Sequence, residues 1–266
     1  MDLSKIKMVV TDMDGTLLNS KHEVSDRFFR AFEKLKAKNI VFVAASGRQY
    51  HSIANKLAPI VNDITIVAEN GGFAKYRENQ LFSIPLNSKA KENALAIIAE
   101  IKGAYPVLCT KSNAYIATNV QEFEPILKEY YSSFDKITNL KDFKEEVLKI
   151  AIYHFNGSEA HIYPYVQHLE SHLKIKVSGA NWLDISENEA NKGHAITHIQ
   201  QLHGITPAET LAFGDYNNDL EMLAQAKYSF AMENAHPNVM KAANYNTLSN
   251  DNFGVEYILE QLIATF

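Results

Sequence analysis

The chain is poor in the features that mark whole classes of protein. It holds one cysteine, Cys109, in 266 residues. An internal disulfide is therefore excluded, and a reducing, cytoplasmic setting is expected. No apolar stretch approaches the ~18 residues of a membrane helix, and the opening residues run into the first apolar segment without a signal-peptide centre. No membrane association is expected. Lysine and arginine number 26 against 31 aspartates and glutamates, a net charge of −5. That is not the basic excess that nucleic-acid binding needs, and no block of like charge is long enough to act as a tail. Internal repeats and low-complexity tracts are missing too. What remains is 46% hydrophobic, ample for one large domain or two modest ones.

Against this plain background two acidic clusters stand out. The apolar run Met8-Val9-Val10 ends in Thr-Asp-Met-Asp-Gly-Thr at 11–16. In an extended segment Asp12 and Asp14 point to the same side. Two anions about 4 Å apart repel by roughly 4 kcal/mol at an effective dielectric near 20, so either one acid keeps its proton or a metal enters. The second cluster, Gly214-Asp215-Tyr216-Asn217-Asn218-Asp219, again follows an apolar run, Leu211–Phe213. Strands of a parallel sheet end on one edge, where ligands bind. If the two runs are parallel neighbours, Asp12, Asp14, Asp215 and Asp219 converge on an all-oxygen site that favours Mg²⁺ over Ca²⁺.

The rest of the chain gives these clusters a setting. Strand-like runs at 6–11, 40–45 and 64–68 alternate with helical spacing at 25–38 and 49–57, which predicts a doubly wound, Rossmann-like parallel α/β sheet. After Gly71-Gly72 the pattern changes. A hairpin is expected around Arg77-Glu78-Asn79, then helices near 89–102, 122–131 and 161–173, with strands at 106–109, 114–118, 148–155, 174–177 and 182–185. This α+β section reads as a small domain inserted at 83–187 into a core formed by 1–82 and 188–266. The core resumes with helix 192–203, strand 210–213, helix 220–226, strand 228–232, helix 235–243, strand 245–248 and helix 255–262.

Two further strand ends carry polar groups. Ser46-Gly47-Arg48 follows the 40–45 run and opens a helix, a ready anion site. Asn191-Lys192-Gly193 opens another helix on the return from the insert. A metal site, a carboxylate nucleophile, a hydroxyl and a lysine suit phosphoryl transfer through a phospho-aspartate. The four motifs, Asp-Met-Asp-Gly-Thr at 12–16, Ser46, Lys192 and Gly-Asp-Tyr-Asn-Asn-Asp at 214–219, resemble those of the haloacid dehalogenase superfamily of phosphatases, in the family's order. The continuation to Met222, the insert between the second and third motifs, and the segments Ala-Ser-Gly-Arg-Gln-Tyr at 45–50, Ala-Glu-Asn-Gly at 68–71 and Tyr-Ser-Phe-Ala-Met-Glu-Asn-Ala at 228–235 look like the Cof-like subfamily. Within it they are most similar to bacterial sugar phosphatases of the SupH/YbiV type.

The resemblance implies Mg²⁺-dependent hydrolysis of small sugar phosphates. Asp12 would be the nucleophile and Asp14 the general acid and base. Mg²⁺ would be held by Asp12, the Asp14 backbone carbonyl and Asp215. Ser46, the Gly47 N–H, Lys192, Asn218 and Arg48 would bind phosphate, with Asp219 behind them holding Lys192 or a metal-bound water. The 83–187 insert would be a cap that sets specificity. Asn113–Tyr115 and Ser178–Trp182 are our candidates for its substrate-facing loops, with the Trp182 side chain itself read first as core and second as an aromatic lining the sugar pocket. The partner is then a small phosphorylated molecule, and the protein a monomer or weak homo-oligomer. Pyridoxal phosphate and flavin mononucleotide remain alternative substrates. A phosphosugar mutase fits less well, because the stretch between Asp14 and Ile40 is too short for the cap those enzymes place there. A non-catalytic receiver module would have neither the insert nor the paired acids. The i, i+4 histidine pairs His168/His172 and His194/His198 lack the adjacent glutamate of a zinc motif.

Overall fold

The computed structural model describes residues 2–118, 121–131 and 133–266. It divides into two compact units, one comprising Met1–Arg48, Ile53–Phe82 and Asn191–Phe266, the other Gln49–Ser52 and Ser83–Ala190. The first unit begins with β1 (Met8–Thr11), α1 (Asp26–Ala37), β2 (Val41–Ala45), most of α2 (Tyr50–Lys56), β3 (Thr65–Ala68), β4 (Phe73–Tyr76) and all but the last residue of β5 (Asn79–Ser83). Helix α1 shows how local sequence sets an element. The Ser25 hydroxyl accepts from Phe28 N at 2.9 Å, Asp26 occupies the first turn, and Lys34 and Lys36 lie in the last, each matching the helix dipole. Its buried face, Phe28, Ala31, Phe32 and Leu35, follows the helical period. Phe28 and Phe32 meet Phe42 of β2 with ring centroids 5.3 and 5.6 Å apart.

The second unit contains α3 (Ser88–Ala99), β6 (Ala104–Cys109), β7 (Ala114–Ala117), α4 (Glu124–Tyr130), β8 (Phe134–Ile137), β9 (Lys149–His154), α5 (Ser158–His161), α6 (Tyr163–Val166), β10 (Lys174–Val177) and β11 (Trp182–Ser186). Its sheet runs β10-β11-β9-β6-β7-β8. Alternation along β9 sends Ile150 and Ile152 to a layer with Leu95, Ile98, Ile162 and Val166. Ala151 and Tyr153 go to an opposite layer with Val107, Phe123, Leu127 and Trp182. Tyr115, expected on a substrate-facing loop, is a packing residue here, and Trp182 takes the core position read first for it. Trp182 is buried among Phe123, Tyr130 and Tyr153, and Tyr115 lies 4.4 Å from Phe143 between ring centroids. Asn113 is tied to Asp135 and Ser133 at 2.7 Å each.

Two expectations for this unit change. The helix expected over 161–173 is broken into α5, α6 and a 3-10 stretch, Gln167–Ser171, because Pro164 supplies no N–H to continue a helical ladder. Strand β8 was not expected. Its sequence Phe-Asp-Lys-Ile has little apolar pattern, and it forms by parallel pairing with β7.

The chain returns to the first unit with α7 (Lys192–His203), β12 (Thr210–Gly214), α8 (Leu220–Leu223), β13 (Tyr228–Ala231), α9 (Pro237–Ala242), β14 (Tyr245–Asn246) and α10 (Gly254–Ile263). The large sheet has the order β14-β13-β12-β1-β2-β3-β4-β5. It is parallel from β14 to β3 and antiparallel between β3 and β4. Strands β1, β3, β12 and β13 are buried throughout, as both faces of a doubly wound sheet are covered. Chain order runs outward from β1 in one direction and from β12 in the other, so the switch point lies between them. Among the described residues no helix is long and apolar enough to cross a membrane. Replacing the fully buried Phe42 by alanine should destabilise the first unit by about 3–5 kcal/mol, read from urea unfolding followed by near-UV circular dichroism.

Candidate active site

At the switch point the register aligns Thr11 of β1 with Phe213 of β12 and with Ala44 of β2. The Asp12 N–H extends the ladder by donating to Phe213 O at 3.1 Å. The chain then turns sharply, with Leu18 N donating to Met13 O at 2.8 Å. Gly15 makes that turn possible. Its φ is +75°, and a Cβ there would lie 2.3 Å from Asp215 Oδ2. Thr16 Oγ1 donates to Asp215 Oδ1 at 2.9 Å, and Asn234 Nδ2 donates to Gly15 O at 2.8 Å. The first acidic loop is thus pressed directly onto the second.

Lys192 enters from the first position of α7, whose N-cap Asn191 accepts from His194 N at 2.8 Å. Its side chain is wholly buried. The ammonium donates to Asp12 Oδ1 by a short hydrogen bond and to Asp219 Oδ1 at 2.6 Å. The other Asp219 oxygen accepts the N–H groups of Asp215 and Tyr216 at 3.0 and 3.1 Å. Burial works against the charge of Lys192, but Asp12 and Asp219 outweigh it and hold the ammonium charged well beyond neutral pH. Burial pushes the Asp12 carboxyl well above the usual range; Lys192 opposes that, and Asp219 and Asp215 add to it. Asp215 is pushed up to about 6 by burial and by Asp219.

Among the described residues, Asp12, Asp215 and Asp219 form the one close group of three metal-capable side chains, with ligand atoms within 4.8 Å of one another. Both oxygens of Asp219 are already engaged. Asp12 and Asp215 each keep one oxygen, Oδ2, to which no hydrogen-bond donor among the described residues is paired. Three carboxylates against one ammonium leave two negative charges. An all-oxygen donor set with that surplus fits a hard divalent cation.

The remaining candidates surround this cluster. Arg48 forms a bidentate ion pair with Asp14, Nε to Oδ2 and Nη2 to Oδ1, both at 2.6 Å, and His22 Nδ1 lies 3.4 Å from Asp14 Oδ1. Although burial opposes it, Arg48 with His22 holds Asp14 below the usual carboxylate range. Ser46 is buried at the end of β2, and its hydroxyl accepts from Arg48 N at 3.2 Å. Asn218 Nδ2 donates to Asn70 Oδ1 at 3.1 Å. Three residues close to this cluster carry no role in the sequence reading: Thr16, Asn70 and Asn234. Asn70 follows Glu69 in the left-handed region, φ +54° after +52°, a conformation costing roughly 1–2 kcal/mol per residue with a Cβ. Asn-Gly directly after a strand was the available signal for it. Replacing Lys192 by methionine should leave two buried carboxylates without their counter-ion and destabilise the fold by about 3–5 kcal/mol, measurable by urea unfolding.

Comparison with known proteins places this constellation. Residues 9–259 match the family described as haloacid dehalogenase-like hydrolase. The chain is 32% identical to 5-amino-6-(5-phospho-D-ribitylamino)uracil phosphatase YbjI of Escherichia coli (strain K12), over 97% of this chain and 96% of that protein. It is 25% identical to YwtE of Bacillus subtilis (strain 168), which bears the same phosphatase name, over 97% and 99%. The crystal structure of SMU.1108c from Streptococcus mutans UA159 superposes with a TM-score of 0.89 at 28% identity, covering 97% of this chain and 99% of that one. With its motifs in order along matching elements and the match spanning nearly its whole length, the chain belongs to the haloacid dehalogenase-like hydrolase family.

Proposed function

We propose that the chain is a Mg²⁺-dependent phosphomonoesterase acting on small phosphorylated sugars or sugar alcohols. The observation that carries this reading is the buried Asp12–Lys192–Asp219 assembly beside Asp215, at the carboxyl ends of β1 and β12. Asp12 is the nucleophile: its carboxylate oxygen bonds to phosphorus as the bond to the leaving alkoxide breaks. Asp14, freed to take up a proton when the substrate phosphate draws Arg48 away from it, gives that proton to the alkoxide, then takes one from the water that cleaves the aspartyl-phosphate and releases inorganic phosphate. A divalent cation held at this site would supply positive charge to offset that of nucleophile and phosphate. Asp12, Asp215 and the Asp14 backbone carbonyl would hold it.

Lys192, Ser46, the Gly47 N–H and Asn218 stabilise the phosphate oxygens as charge builds on them. Asp219 fixes Lys192. Arg48 has two duties in this scheme. Its hold on Asp14 keeps the acid oriented, and an incoming phosphate dianion competes for the same guanidinium. The inserted section, residues 83–187, is proposed as the cap that discriminates among leaving groups. The names of YbjI and YwtE favour a ribityl phosphate ester as the first candidate. Sugar phosphates, pyridoxal phosphate and flavin mononucleotide complete the set, since all present a phosphate on a primary alcohol or a similar carbon.

Phosphate release from that panel should occur with Mg²⁺ and stop with EDTA. Asp12→Asn should abolish it, because an amide is no nucleophile, and Asp14→Asn should slow turnover while leaving Mg²⁺ binding by calorimetry intact. More than trace turnover by a folded Asp12→Asn protein sinks the assignment. A pH effect follows as well. Acids whose folded pKa is raised stabilise the fold while protonated, and that contribution is lost as pH climbs from the ordinary 3.8 through about 6 for Asp215. The melting temperature gained on adding Mg²⁺ to EDTA-treated protein should therefore grow between pH 5 and pH 7. Equal gains at both pH values would contradict the assignment of Asp215 as a ligand.

A further inference from the structure

Beyond the end of β3 the chain enters three successive left-handed residues, Glu69, Asn70 and Gly71, with φ of +52°, +54° and +99°. Two of them carry a Cβ that this conformation opposes. Strain of this kind persists only where the surroundings over-determine it, and it gathers at functional sites. The turn touches three of the four polar strand ends. Glu69 N donates to Arg48 O at 3.0 Å and Asn70 N to Ser46 O at 2.9 Å, binding the turn to the Ser46-Gly47-Arg48 loop. A Cβ built on Gly47 would sit 3.1 Å from both Nδ2 and Oδ1 of Asn70, so the amide lies flat against that loop. Asn70 Oδ1 accepts from Asn218 Nδ2 at 3.1 Å. A Cβ on Gly71 would lie 2.2 Å from the backbone oxygen of Asn191, the residue before Lys192.

The geometry points to Asn70 as a positioning residue that sets the spacing of the phosphate-binding groups. Its side-chain amide wedges between Gly47 and Asn218, and the left-handed turn that presents it also seats Asn191 and hence Lys192. Asparagine suits both demands. It tolerates the left-handed region better than other residues with a Cβ, and its amide accepts from Asn218 while lying against Gly47. The inference rests on the phosphatase reading of the site, but it assigns to Asn70 a role through its neighbours and not through the substrate.

The test separates side chain from backbone. Asn70→Gly keeps the left-handed turn without strain and removes the amide; Asn70→Ala removes the amide and keeps the strain. The full-length protein with Mg²⁺ is assayed with p-nitrophenyl phosphate and titrated calorimetrically with inorganic phosphate. Asn70→Gly should lower kcat/KM about tenfold and weaken phosphate binding about fivefold, with a melting temperature within about 3 °C of the parent. Asn218→Ala, which removes the phosphate-binding amide itself, should lose at least as much, and the Asn70→Gly/Asn218→Ala double variant should be no worse than Asn218→Ala alone, because Asn70 acts through that amide.

Asn70→Gly with kinetics and phosphate affinity within about twofold of the parent overturns the proposal and leaves the turn a purely structural device. So do losses that multiply in the double variant. If Asn70→Gly does not fold, Asn70→Ser and Asn218→Ala carry the same cycle. A parent protein that neither hydrolyses the ester nor binds phosphate overturns the phosphatase reading itself, and with it this inference.

Discussion

The burial of one ammonium group organises this site. Lys192 has no exposure to solvent, and an unpaired ammonium there would cost several kcal/mol. Asp12 and Asp219 offset that cost from two different strand ends, and Asp219 is itself fixed by two backbone N–H groups. One hydrogen-bonded chain thus runs from α7 through Lys192 to β1 and β12. The candidate nucleophile cannot be moved without disturbing the lysine, nor the lysine without exposing Asp219. Such coupling explains how a charged group held at a loop end can have a definite position.

The same assembly is electrostatically unfinished. Burial, and after it the neighbouring carboxylates, raises the Asp12 and Asp215 carboxyls, a tension that a protein selected for stability alone would remove with an apolar residue. Asp14 and Arg48 sit apart from this surplus as a balanced pair. The two regions lie side by side with shifts of opposite sign, Asp12 raised and Asp14 lowered. The sheet order makes the juxtaposition possible, because β1 has β12 on one side and β2 on the other, and the polar loops after all three open on one edge.

The left-handed turn after β3 adds a second layer of constraint. It holds the Ser46 loop by backbone hydrogen bonds and touches Asn218 and Asn191 with no charge of its own on Asn70. Buried charge and backbone strain therefore work at the same edge by different means. The first fixes the acids and the lysine, the second the loops around them.

Much of this was legible without coordinates, for a physical reason. The apolar runs before Asp12, Ser46 and Asp215 and the 3.6-residue spacing of Phe28, Phe32 and Leu35 are local patterns, and local patterns determine element type, fold class and the residues at strand ends. The acids could be singled out because charged residues rarely follow buried strands without a purpose, and Lys192 by its place in the family's order of motifs. Strand β8 could not be seen, since its four residues have no periodic pattern and take their structure from β7. The break of the expected helix at Pro164 turned on one proline whose effect depends on its neighbours. Tyr115 read as part of a substrate-facing loop, and Trp182 as core with a pocket role second, until the two apolar layers of their sheet were known. Only the tertiary structure decided which oxygen of Asp219 meets Lys192, that Arg48 grips Asp14, and that Asn70 lies between Gly47 and Asn218. Those contacts join residues up to 148 positions apart, and no local rule relates their side chains.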